Sequence, residues 1–191
     1  AVLVTTLNPL ITIIIMSLIN KGILKKEVIG ILLGVIGGII IMDLYNQGVD
    51  KIFDSGNIYF LICALTWGLM TVTINYAQKI INPYMFICLC YLLVAIITIP
   101  FINIDEFYVA ELDFRFYLNF FFVSIGAMSF GTSIYMYNTP ILGPSKASVF
   151  IFSVPFIAMS TANIFLNEPF TINIIIGGLL SLYAIYIVNK K

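Results

Sequence analysis

The sequence has no histidine, and only nine basic and nine acidic residues are spread over its 191 positions. Without histidine the chain lacks the commonest metal ligand and the side chain that moves protons near neutral pH. Charged residues make up 9% of it, against about 25% in a soluble domain. A chain so poor in charge cannot cover itself with a wettable surface, and 61% hydrophobic residues point to a bilayer as its solvent. The net charge is zero and no basic tract occurs, so nucleic acid is not an expected partner. Cysteine is also scarce: Cys63, Cys88 and Cys90 all lie in apolar stretches. An odd count argues against a disulfide framework. Cys88 and Cys90, two apart on a helix, point to nearly opposite sides and cannot share a metal. No P-loop, dinucleotide fingerprint or glycosylation sequon is present, and no acid, base or nucleophile is placed for catalysis. The chain therefore reads as a non-enzyme, with no metal and no cofactor.

What the chain has in abundance is apolar run. Seven spans stand out, at 2–19, 28–44, 58–78, 84–102, 116–138, 146–166 and 170–188. The expectation is an all-α integral membrane protein with seven transmembrane helices. From Ala147 to Leu166 twenty residues pass without a charge; at 1.5 Å each they make about 30 Å of helix, the thickness of the hydrocarbon core. Pro155 interrupts that span and removes a backbone hydrogen bond, which membrane helices tolerate when neighbours or a cavity satisfy the freed carbonyl. The second span is the shortest and suits only a thin or pinched region. Connections are short except 103–115, acidic and aromatic, which suits an interfacial loop. Ala1 opens directly into an apolar run without a charged leader, so no signal peptide is read there.

Lysine and arginine set the orientation. With Lys190 and Lys191 in the cytoplasm, Lys21, Lys25, Lys26, Lys79 and Lys146 also fall inside, and only Lys51 and Arg115 fall outside. That is a clear positive-inside bias. The chain also repeats itself. The stretch from Leu7 lies over the stretch from Ser153: Pro9 matches Pro155, and after a one-residue gap Gly30 matches Gly177 and Gly34 matches Ser181. This divides the chain into 1–44, the last two helices of a first repeat, a linker at 45–57, and 58–188, a five-helix second repeat. Because five is odd, the two copies have opposite orientation, as in many secondary transporters. The start of the chain then falls inside the first repeat, and three further helices are expected before it.

Polar side chains fall into stripes. Trp67, Thr71, Asn75 and Gln78 share one face of the third span; Ser124, Met128, Gly131, Tyr135 and Asn138 share one face of the fifth; Ser148, Phe152, Pro155, Met159 and Asn163 share one face of the sixth. Amide and indole groups in hydrocarbon are costly unless bonded, so these faces are expected to point inward. They line either a substrate cavity or helix-to-helix hydrogen-bonded surfaces. The cavity candidates are Trp67, Thr71, Asn75, Tyr135, Asn138, Ser148, Pro155, Met159 and Asn163. Lys146 opens its helix and is expected to snorkel to headgroups. Glu168 lies between two spans; it either holds the turn or couples transport to a proton or ion. Gly30, Gly34 and Gly38 form a small-residue row on the second span, repeated by Gly177 and Ser181 on the last. Such rows let helices approach closely, here the two repeat-final helices against each other or across a homodimer.

Several of these residues together resemble one family, the EamA family of the drug/metabolite transporter superfamily. The resemblance rests on Leu142-Gly143-Pro144-Ser145-Lys146-Ala147-Ser148, then Pro155, then Asn167-Glu168-Pro169-Phe170-Thr171, then Gly177, with Trp67-Gly68 in the third span. It departs from the family at Lys21 and Gly22, where glutamate is usual, and at Asn167, where glycine is usual. The resemblance implies a ten-helix inverted-repeat fold, of which this chain carries the C-terminal part. It also implies alternating-access transport of a small organic metabolite in a prokaryotic plasma membrane, with the C-terminus cytoplasmic. The rival readings are a lipid-carrier flippase of the same superfamily and a non-transporting membrane scaffold or inactive fragment.

Overall fold

A computed structural model describes residues 2–20, 22, 24–41, 43, 57–102 and 113–190, with side chains from Leu7 in the first helix and Tyr59 in the third. The linker expected at 45–57 and the acidic loop at 103–115 fall mainly outside the described residues, as do Lys21, Lys51 and Lys191. Among the described residues every element is helical. In chain order they are α1 (Val2–Asn20), α2 (Lys25–Ile41), α3 (Asn57–Ala77), α4 (Pro83–Phe101, its last turn 3₁₀), α5 (Phe114–Leu142), α6 (Pro144–Leu166) and α7 (Ile172–Asn189). Five of these, α3 to α7, are long and apolar enough to cross a membrane, and Leu7–Asn20 is a shorter apolar helix. The 17 residues of α2 make about 25 Å of helix. The chain is an all-α, multi-pass membrane protein.

Caps explain where the helices begin and end. Helix α2 starts three residues before the apolar run because the Glu27 carboxylate accepts the Leu24 N–H at 3.1 Å, half of a capping box. Helix α5 starts at Phe114, inside the expected loop, because Asp113 caps it by accepting the Phe116 N–H at 2.8 Å. It also runs beyond residue 138, through Pro140, and ends at Gly143 (φ +90°, ψ 146°). That backbone region is open to glycine alone, and it lets Pro144 occupy the first turn of α6, where its missing N–H costs nothing. Within α5, residues Phe122–Gly131 form a π-helix, a feature that a 3.6-residue reading of the sequence does not contain. Within α6, Phe150–Phe152 tighten to 3₁₀ just before Pro155, where the proline withholds one backbone donor.

The chain divides into two compact units, one comprising 1–73 with 142–191 and the other 74–141. In the first, α2 and α7 run antiparallel along their full length. At one end the Lys26 ammonium donates to the Lys190 carbonyl at 3.1 Å; at the other the Asn173 amide donates to Asp43 Oδ1 at 3.4 Å. Glycines set their separation. A Cβ on Gly37 would lie 2.6 Å from Ser181 Oγ and 2.7 Å from the Gly177 carbonyl; one on Gly177 would lie 2.5 Å from the Gly37 carbonyl and 2.6 Å from Ile41. Gly30 presses on Val188 and Ala184, Gly34 on the ring of buried Phe152 from α6, and Gly178 on Phe156. Of the α2 glycines, Gly30 and Gly37 thus face α7 and Gly34 faces α6; Gly38 is buried as well, and Gly37 is the contact that the four-residue spacing did not include. Ile13, Val149, Phe152 and Val188 close the core of this unit, and Gly68 of α3 lies against Ile11 of α1.

The second unit contains the end of α3 together with α4 and α5. The Tyr91 hydroxyl of α4 donates to the Met128 carbonyl of α5 at 2.8 Å, and the Tyr84 and Tyr137 rings stack at 5.3 Å.

Candidate functional site

In the first unit Trp67 and Thr71 lie toward the buried side of α3, while Thr66 and Thr73 are exposed. Ala64, Gly68, Thr71 and Val72 are buried, whereas Leu65 and Leu69 are exposed. Gly68 brings α3 close to α1, 2.7 Å from Ile11 Cγ2 and 3.5 Å from Thr12 Oγ1 for an added Cβ. Thr12 is itself buried and donates to Asn8 Oδ1 at 3.1 Å. Asn8 and Thr12 therefore belong with Trp67 and Thr71, although sequence reasoning did not single them out. The signal was available: they flank Pro9, one turn apart, as polar residues inside an apolar run.

Trp67 carries the most informative atom of the group. Its ring is half-buried, yet its indole Nε1 is fully buried and has no hydrogen-bond partner. An unpaired buried donor costs about 1–3 kcal/mol, so this conformation holds a hydrogen-bond donor in reserve. Thr71 Oγ1 bonds the Trp67 carbonyl at 2.9 Å.

On α6 Ser148, Phe152 and Pro155 are buried and Met159 and Asn163 half-buried, a single stripe along the helix. Ser148 donates to the Ser145 carbonyl at 3.0 Å. Asn163 is drawn into a different task. Its amide donates to the Glu168 carbonyl across the turn after α6, where Asn167 adopts the left-handed conformation (φ 55°, ψ 31°) and donates its N–H to the Ala162 carbonyl. The turn is held through the backbone of Glu168, and the Glu168 side chain is exposed.

Asn75, Tyr135 and Asn138 belong to the second unit and are half-buried. Asn138 donates to the Ile134 carbonyl at 2.8 Å, and Thr139 to the Tyr135 carbonyl at 2.7 Å. The buried line on this part of α5 is Thr132, Met136 and Thr139, with Met128 and Gly131 exposed. The π segment explains the offset. Its i→i+5 bonding widens each turn, so a stripe extrapolated at 3.6 residues from Ser124 drifts off the buried side. Ser148, Asn138 and Thr139 all bond carbonyls of their own helix, so these three do not tie helices together. Among the described residues no three cysteine or carboxylate side chains gather as metal ligands would.

Residues 54–190 match the EamA-like transporter family. No curated protein and no solved structure matches the chain.

Proposed function

Because the chain belongs to the EamA-like transporter family, within the drug/metabolite transporter superfamily, we propose that it moves a small organic metabolite across a prokaryotic plasma membrane by alternating access. The observation that carries this reading is the reciprocity of the α2–α7 contact. Gly30 touches Ala184 and Val188, and Gly177 touches Gly37 and Ile41. The register that takes Gly30 to Gly177 also takes Gly37 to Ala184 and Ile41 to Val188, so each contact has its image. Antiparallel helices exchanging contacts in this way are what a two-fold axis in the membrane plane produces, and rocking about such an axis opens a midplane site to each side in turn. Trp67 and Thr71 on α3, with Ser148, Pro155 and Met159 on α6, are the proposed solute-facing residues of the first unit. Asn75, Tyr135 and Asn138 are candidates of the second, and Glu168 is the candidate for proton or ion coupling. The C-terminus is assigned to the cytoplasm on the lysine bias. The reading is tested by comparing metabolites inside and outside cells that carry or lack the protein. At least one small organic solute should change its distribution with expression; identical profiles across growth conditions would count against transport.

A further inference from the structure

A recess lies between α4 and α5 of the second unit, lined by Ile87 and Leu92 together with hydroxyl and thiol side chains. It is an open groove of about 360 Å³, a volume within the range of small-molecule sites. Tyr84, Cys88 and Tyr91 supply one wall, at the spacing of one helix face, and Ser129 and Ser133 supply the other. No lysine, arginine, aspartate or glutamate lines it. The Tyr91–Met128 hydrogen bond spans the two walls, and Met128 lies in the π segment of α5, a local geometry that recurs at functional sites.

Many hydroxyls among the described residues bond within their own helix, although Ser181 Oγ is buried without a partner. Thr98, Thr139, Ser148, Ser153, Ser160 and Thr161 all donate to carbonyls of their own helix. The Ser129 and Ser133 hydroxyls, one turn apart, also make no hydrogen bond among the described residues. Two free hydroxyls face a wall whose end is a flat aromatic pair, Tyr84 on Tyr137 with planes 20° apart. An ion here would lose its hydration with no counter-charge to replace it. A flat neutral ring stacks on tyrosine and leaves its edge for the serines.

We propose that this recess binds an uncharged, planar aromatic molecule that hydrogen-bonds through its edge to Ser129 and Ser133. The site is independent of the alternating-access reading above. Cys88 is exposed and lines the recess, so its alkylation reports occupancy. In the Cys63→Ala, Cys90→Ala protein held in lipid nanodiscs, the rate of N-ethylmaleimide reaction at Cys88 is measured against indole, adenine, indole-3-acetate and cyclohexanol. Indole or adenine should slow it saturably, while the anion and the non-planar alcohol should not. Tritiated adenine binding by scintillation proximity gives a second constant that does not rely on the thiol. In the Ser129→Ala, Ser133→Ala double variant the half-saturating concentration should rise about tenfold, the loss of roughly one net hydrogen bond. No saturable effect of either planar probe in both measurements would overturn the proposal. So would protection by cyclohexanol equal to that by the planar probes, which would mark an apolar lipid cleft, or affinity unchanged in the double variant.

Discussion

At position 167 an asparagine holds a backbone conformation that most side chains resist. The resemblance to the EamA family puts glycine there, and asparagine is among the few other residues that enter the left-handed region readily. Asn167→Gly should leave the thermal stability of the purified protein nearly unchanged, whereas Asn167→Val should lower it by about 1–2 kcal/mol. Gly143 is stricter, because its φ of +90° and ψ of 146° lie where an added Cβ clashes; Gly143→Ala should cost about 1–3 kcal/mol. Trp67 makes the opposite case. Phenylalanine keeps an aromatic ring and removes the unpaired N–H, so Trp67→Phe should fold as well as the native protein or better. If the indole donor serves the solute, the same change should weaken solute binding by about 1–3 kcal/mol, read from the half-saturating concentration at matched membrane abundance. A variant that lost folded protein in step with binding would mean that Trp67 acts in packing.

Helices α2 and α7 depend on glycine in a symmetric way. Gly30 and Gly177 occupy matching places, each against backbone and a branched side chain of the opposite helix. Gly30→Leu and Gly177→Leu should therefore lower the yield of folded protein to similar extents, by forcing apart a contact that membrane helices make through close packing. Fluorescence-detected size exclusion measures this directly, and a large effect at one position alone would argue against the two-fold relation. The face of this contact was legible in the sequence, since small residues at four-residue spacing mark it on both spans; the fold chose between a contact of the two helices with each other and one across a dimer. The inward sides of α3 and α6 were legible too, because single polar residues inside apolar runs mark the buried side when the helix is regular. The face of α5 was not. Nothing in FVSIGAMSFG demands an i→i+5 bonding pattern, and Gly126 and Gly131 read equally well as packing glycines. For Asn163 the periodicity gives its face, but only the fold brings the Glu168 carbonyl within reach of its amide.

For the molecule as a whole, orientation is a proposal that starts in the first unit, where the α2–α7 packing brings Lys26 beside Lys190. The proposed orientation puts the α2–α7 end that holds Lys26 and Lys190 in the cytoplasm and the turn at Glu168 outside. With the native cysteines replaced, Asn20→Cys and Glu168→Cys should differ in intact cells, an impermeant maleimide labelling only the second. Labelling of Asn20→Cys alone would reverse the orientation. Function is approached most directly through Trp67, the single tryptophan of the chain, whose emission reports on one known place. The decisive measurement is a titration of that emission with the solute found by metabolite profiling, set beside the concentration dependence of its transport. The account predicts a saturable change in emission with the same half-saturating concentration as transport. Transport that saturates while the Trp67 emission stays constant would contradict it.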